Sequence, residues 1–161
     1  MRLSKKFAAI AITATAALTA SAAFAFWSTS GSGSGSASTT AGVSNQISFT
    51  QSTILPMYPG DASQVLTVGV QNNSADNSSA QVDHVTAYIT TNKAGCTGSD
   101  FLLGGLAAPS TVATAAALTW TGANLAHGAS ANATSTIQFN DTASNQDVCK
   151  TALVTLNYLA S

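Results

Sequence analysis

The sequence contains no glutamate, and only 7% of its 161 residues are charged. The missing glutamate excludes the His-Glu-x-x-His zinc peptidases and the glycosidases that use paired glutamates. No serine stands in a Gly-x-Ser-x-Gly motif, so the usual signature of an α/β-hydrolase is also missing. These absences predict that the protein is not an enzyme.

Only two side chains, His84 and His127, could act as bases near neutral pH. His84 alternates with Val85 in a predicted strand, and we expect it to face solvent because Val85 faces inward. His127 precedes Gly128 in a predicted turn. We therefore expect no catalytic residue and no cofactor.

A polar loop offers the best oxygen ligands for a metal ion. Asp76, Asn77 and Asp83 lie close in sequence to Asn72 and Asn73, and oxygen-rich loops suit calcium. The spacing matches no EF-hand, and Asn/Asp loops are commonly turns that bond their own backbone. We expect no metal site and keep weak calcium binding as an open alternative.

Residues 1–25 have the three parts of a secretory signal peptide. Arg2 and two lysines provide the positive charge, residues 7–18 form a short apolar segment, and an Ala-x-Ala cleavage motif ends at residue 25. The apolar segment is shorter than the roughly 20 residues that span a bilayer. The sequence predicts a secreted protein that begins at Phe26 and has no membrane attachment after cleavage; an uncleaved anchor is the alternative.

Cleavage changes the charge balance of the chain. It leaves two lysines against six aspartates, a formal charge of −4. Binding to nucleic acid or anionic lipid requires clustered basic residues, so we expect neither as a partner.

The chain has two cysteines, Cys96 and Cys149, both in the exported part. An even number of cysteines in an exported protein favours a disulfide. A metal site is the alternative, but neither cysteine stands in a Cys-x-x-Cys motif or near a histidine. We predict one structural disulfide.

Residues 26–42 begin with Phe26 and Trp27 and continue as a tract of Ser, Gly, Ala and Thr. Such a tract is typical of a flexible tether. Its alternating glycines at 31, 33 and 35 also suit an extended strand that lies flat against a sheet edge. Both interpretations stay open, and in the second Phe26 and Trp27 would anchor the strand in a partner.

Residues 43–161 show the two-residue periodicity of β-strands. Residues 65–71 and 82–91 each alternate in this way, and the polar loop between them predicts an antiparallel pair. Residues 118–120 are predicted to be a strand that buries Trp120, with a short helix over 113–118 as the alternative. The expected inward residues are Leu66, Val68, Val70, Val85, Ala87, Ile89, Ile137, Phe139, Val154, Leu156 and Tyr158.

The run of short strands, with turn residues between them and no amphipathic helix, predicts an all-β fold. We expect an immunoglobulin-like or jelly-roll antiparallel β-sandwich of about seven strands. The length suits one domain over residues 43–161, preceded by the segment 26–42.

The N-terminal layout resembles that of exported proteins of the TasA/camelysin type. The shared features are the Ala-x-Ala motif, the aromatic Phe26, the Ser/Thr/Gly tract and Thr39-Thr40-Ala41-Gly42 before the first strand. The resemblance implies a jelly-roll or immunoglobulin-like sandwich that builds extracellular matrix fibres. It also implies that an N-terminal donor strand completes the sheet of the next subunit.

Two functions follow as expectations. The first is a secreted structural or cell-surface protein that assembles with itself, or with a cell-surface partner, through Phe26 and Trp27. The second is a module that binds carbohydrate or cell-wall polymer, which would need an exposed aromatic platform. Tyr58, Tyr88 and Trp120 are the candidates for that platform.

Overall fold

The computed structural model describes residues 31–35 and 47–161 of the chain. These residues form eleven β-strands and three short 3₁₀ turns, and no helix among them is long and apolar enough to cross a membrane. The strands are β1 (Gly31–Gly35), β2 (Ile47–Gln51), β3 (Gln64–Asn72), β4 (Ala80–Val82), β5 (Val85–Thr91), β6 (Phe101–Leu103), β7 (Leu106–Ala107), β8 (Ala116–Ala117), β9 (Ala123–Leu125), β10 (Ser130–Phe139) and β11 (Val154–Ala160).

The strands form two main sheets. One has four strands in the order β1-β11-β5-β8, and the other has five in the order β2-β3-β10-β6-β7. Strands β4 and β9 form a separate two-stranded sheet. All the pairs are antiparallel except β1 with β11, which is parallel.

The two main sheets share one hydrophobic core. The alternating pattern of the four longest predicted strands is confirmed, because their inward residues are at most 2% exposed. Each Val, Leu, Ile or Phe among them contributes roughly 1.5–3 kcal/mol through burial. They are Leu66, Val68 and Val70 of β3, Val85, Ala87 and Ile89 of β5, Ile137 and Phe139 of β10, and Val154, Leu156 and Tyr158 of β11.

The predicted pairing of residues 65–71 with residues 82–91 is wrong. β3 pairs with β2 and β10, whereas β5 pairs with β11 and β8 in the other sheet. The chain leaves β4 at Asp83 and His84, whose backbone N–H groups donate to the Ser161 carbonyl at 2.7 and 2.8 Å. The segment between β3 and β5 therefore crosses from one sheet to the other instead of closing a hairpin.

The region around Trp120 is neither a helix nor a continuous strand. Here the chain forms a 3₁₀ turn at Val112–Thr114, the two-residue β8 and a single bridge from Thr119 to Thr134. Trp120 packs partly buried against the core, and its Nε1 donates to the Val82 carbonyl at 2.9 Å. Because short elements such as these count as strands, the described residues contain eleven strands, whereas about seven were expected.

A disulfide joins the loop after β5 to the segment before β11, at one end of the sheet that contains both strands. Cys96 lies in the loop after β5, Cys149 lies just before β11, and their Sγ atoms are 2.01 Å apart. The bond joins the two segments next to the pair formed by Thr91 and Val154. A buried structural disulfide fits a protein that matures in an oxidising compartment.

Candidate assembly edge

β1 lies along the outer side of β11 and is the last strand of its sheet. The two strands run parallel, with Gly31 opposite Val154 and Gly35 opposite Tyr158. β1 also contacts β2, the outermost strand of the other main sheet. It therefore covers the side of the molecule where the edges of the two sheets meet.

The register gives a reason for the three glycines of this strand. Glycines 31, 33 and 35 lie opposite Val154, Leu156 and Tyr158, the residues of β11 that point into the core. Neighbouring residues in paired strands lie on the same face of a sheet. A glycine at each of these positions adds no side chain on the inner face, so β1 can pair with β11 beside an already filled core.

Tyr158 connects β11 to the opposite sheet directly beneath this edge. Its ring lies 5.6 Å from that of Phe49, and its hydroxyl donates to Gln51 Oε1 at 2.6 Å. Both partners belong to β2. Tyr158 thus joins β11 to β2 by contacts that do not involve β1.

Burial raises the pKa of the Tyr158 phenol well above its usual value near 10. The unfolded chain therefore loses this proton at a lower pH than the folded protein does, and deprotonation favours unfolding. We expect the free energy of unfolding to fall above about pH 10, by at most about 1.4 kcal/mol per pH unit. Denaturant titrations between pH 8 and pH 11 measure this slope.

The matched variants for this titration are Tyr158→Phe and Tyr88→Phe. Tyr158→Phe should have a smaller alkaline slope than the wild type, while Tyr88→Phe should keep the wild-type slope because Tyr88 lies in the outward register of β5. An unchanged alkaline slope in Tyr158→Phe would contradict this assignment.

Without β1, the outer side of β11 would be an open sheet edge of seven residues. Unpaired N–H and C=O groups on such an edge accept a further strand, from the same chain or from another. The eleven residues from 36 to 46 join β1 to β2, and a segment of that length spans at most about 40 Å. The linker therefore allows β1 to reach its own β11 or that of a neighbouring molecule.

The residues that the sequence analysis selected for self-assembly, Phe26 and Trp27, lie outside the described residues, as does the predicted signal peptide over residues 1–25. The described strand β1 begins four residues after Trp27. Sequence reasoning did not identify Phe49, Gln51 and Tyr158 as parts of the edge, although the inward position of Tyr158 in the last strand was a usable signal.

The alternative sites are separate from this edge. His84 and His127 are both exposed, and the backbone of His84 is bonded to Ser161. In the described part of the chain, the one group with three metal-capable side chains is Cys96, Asp100 and Cys149, whose cysteines are already joined to each other.

The polar loop behind the calcium hypothesis bonds to itself. Asp76 Oδ1 accepts a hydrogen bond from Ser78 N at 3.2 Å, and the hydrogen bonds from Ser78 lower the pKa of this carboxyl. Asn72 is fully buried and donates to the carbonyls of Ser78 and Leu125 at 2.8 and 2.9 Å. These contacts are those of a closed turn.

The aromatic residues proposed for a carbohydrate platform make no ring contact with one another in the described part of the chain. Tyr58, Tyr88 and Trp120 are each partly buried. The ring pairs among the described residues are Phe49 with Tyr158 and Phe101 with Phe139, so none of the three candidates stacks on another.

No protein-family model, curated protein or solved structure matches this chain significantly.

Proposed function

We propose that this protein is a secreted structural subunit that assembles outside the cell by donating its N-terminal strand to a neighbouring copy. The observation that supports this most directly is the pairing of the Gly/Ser strand β1 with the outer side of β11. That pairing joins segments more than one hundred residues apart in a parallel register.

The same β1–β11 contacts can form within one molecule or between two. Exchange of an identical element between copies keeps every local contact, so it costs little beyond the entropy of association. If β1 of each copy pairs with β11 of the next, the interface is head-to-tail, and such interfaces extend into filaments when they do not close into a ring. The product is a fibre or matrix polymer.

Phe26 and Trp27 strengthen the exchange in this proposal. Each ring gains roughly 1.5–3 kcal/mol when it leaves water for an apolar site. Because they precede β1 by only a few residues, they would contact whichever molecule holds that strand. They serve as anchors, while β1 supplies the backbone hydrogen bonds.

The remaining features of the chain fit the same role. The disulfide suits an oxidising compartment, and the predicted signal peptide provides the route there. We assign the two packed sheets to an immunoglobulin-like or jelly-roll sandwich, the architecture that the resemblance to TasA/camelysin-type proteins implies. The protein then acts without catalysis, in an extracellular matrix, in a biofilm or at the cell surface.

Electron microscopy of the purified protein beginning at Phe26 tests this proposal. We expect filaments or other high-mass assemblies, and we expect a folded monomer when residues 26–36 are deleted. Gly33→Pro should also block assembly, because proline cannot donate to the strand ladder. Monomers in all three samples would contradict the proposal.

A further inference from the structure

A cleft lies on the side of the sandwich away from β1. Its volume is about 590 Å³, and its walls come from β3, β8, β10, the segment around Thr119 and the turn at Gly104. β8 and β1 are at opposite edges of their sheet. A ligand in this cleft would leave the assembly edge free.

Among the described residues that line the cleft, four carry a hydroxyl group: Thr119, Thr134, Ser135 and Thr136. No hydrogen bond joins these four hydroxyls to another described residue. By contrast, Thr91 Oγ1 closes a turn by donating to the Cys96 carbonyl at 2.6 Å. The hydroxyls of these four residues are thus free to bond a ligand. We call the site that they line the hydroxyl cleft.

Paired strands hold these hydroxyls in place. β10 pairs with β3 from Ser130 to Ile137 and with β6 from Ile137 to Phe139. Thr119 and Thr134 exchange two backbone hydrogen bonds of 2.8 and 3.0 Å. A ligand would therefore meet donors and acceptors that are already ordered, which lowers the entropic cost of binding.

The rest of the lining limits what kind of ligand can bind. None of the described residues that line the cleft is charged, so they offer an anionic or cationic ligand no ion-pair partner. Val65 and Ala117 supply aliphatic surface, and Val65 is 70% exposed. Free hydroxyls beside an uncharged aliphatic surface match a sugar, which presents both hydroxyl groups and C–H faces.

The turn at Gly104 keeps one wall open. Gly104 has a φ of +62°, a conformation that favours glycine. A Cβ at this position would lie 3.4 Å from Ser135 Oγ and would narrow the cleft beside that hydroxyl. Glycine at this position therefore allows the positive φ of the turn and also keeps the cleft wide.

We propose that the hydroxyl cleft binds a neutral oligosaccharide, such as a segment of an extracellular polysaccharide. The site needs no aromatic platform, because hydroxyl-bearing residues of β10 and of the segment around Thr119 supply the bonds. Thr134 and Thr136 lie on one face of β10, and Ser135 lies on the other. It is independent of strand donation, and it would give a structural subunit a second contact, with the polysaccharide around it.

Isothermal titration calorimetry of the purified protein tests this proposal. The neutral probes are the hexasaccharides of β-1,4-glucose, β-1,3-glucose, β-1,4-mannose and β-1,4-N-acetylglucosamine, and the charged probe is hexagalacturonate. We expect at least one neutral probe to bind with a dissociation constant of about 1 mM or tighter, and the charged probe to bind at least about tenfold more weakly.

Two sets of variants locate the binding. Thr134→Val with Thr136→Val removes two hydroxyls from exposed or half-exposed strand positions that suit valine, and should weaken binding about fivefold or more. Val65→Asp should weaken it as well. Thr50→Val, an exposed position on β2 in the same sheet and outside the cleft, is the matched control and should bind as the wild type does.

Three results would overturn the proposal. These are no heat from any neutral probe at roughly 10 mM, equal affinity of the wild type and the double valine variant, and binding of hexagalacturonate as tight as that of the best neutral probe.

Discussion

Replacing Cys96 and Cys149 with alanine is expected to lower the free energy of unfolding by about 4 kcal/mol. The disulfide closes a loop between positions 53 residues apart, and a closed loop of that length strongly restricts the unfolded chain. Alanine is the suitable replacement because Cys96 and Cys149 are 4% and 0% exposed, and serine would bury two hydroxyls. Urea titration should show a lower midpoint.

Reduction of the wild-type protein is the matched control for this substitution. It should lower the midpoint by a similar amount, since it breaks the same bond without changing a side chain. Because the bond lies where β11 begins, the loss should also weaken the strand that receives β1. A loss below about 1 kcal/mol in both samples would show that the β5–β11 pairing alone holds this end of the sheet.

The inward faces of the main strands could be predicted because burial imposes a two-residue period. Val154, Leu156 and Tyr158 alternate with more polar neighbours, and all three are buried. The partners of each strand could not be predicted in the same way. Residues 73–79 are as polar as a hairpin loop, yet the chain passes through β4 and changes sheets.

The candidate assembly edge was only partly predictable for a related reason. The alternating glycines at 31, 33 and 35 showed that a flat strand was possible, but not which strand would receive it. The partner, β11, is at the other end of the chain and pairs in parallel, and no local pattern encodes such a contact. The hydroxyl cleft had no sequence signal, because Val65, Thr119 and Thr134 are brought together only by folding.

The second large expected effect is a disulfide between two copies of the protein that carry different cysteine substitutions. Ser32 lies opposite Thr155 in the β1–β11 register, and adjacent strands are about 4.8 Å apart, within the range of Cα separations that a disulfide can bridge. A copy with Ser32→Cys and a copy with Thr155→Cys can be linked at this position only when β1 of the first pairs with β11 of the second.

A control substitution tests the register of this contact. Ser34 lies opposite Asn157, two residues further along β11. A copy with Ser34→Cys should therefore link poorly to the copy with Thr155→Cys, although it has the same chemistry and lies in the same strand. Efficient linking of both pairs would indicate random collision in place of a defined strand pairing.

The most direct test of strand donation is to mix the Ser32→Cys and Thr155→Cys copies, oxidise them mildly and measure the mass of the products without reductant. Strand donation predicts a covalent dimer that contains one of each copy and is absent from the Ser34→Cys control. The contradicting result is that the mixture stays monomeric while one chain with both substitutions closes its own bridge, which would show that β1 pairs only within its own molecule.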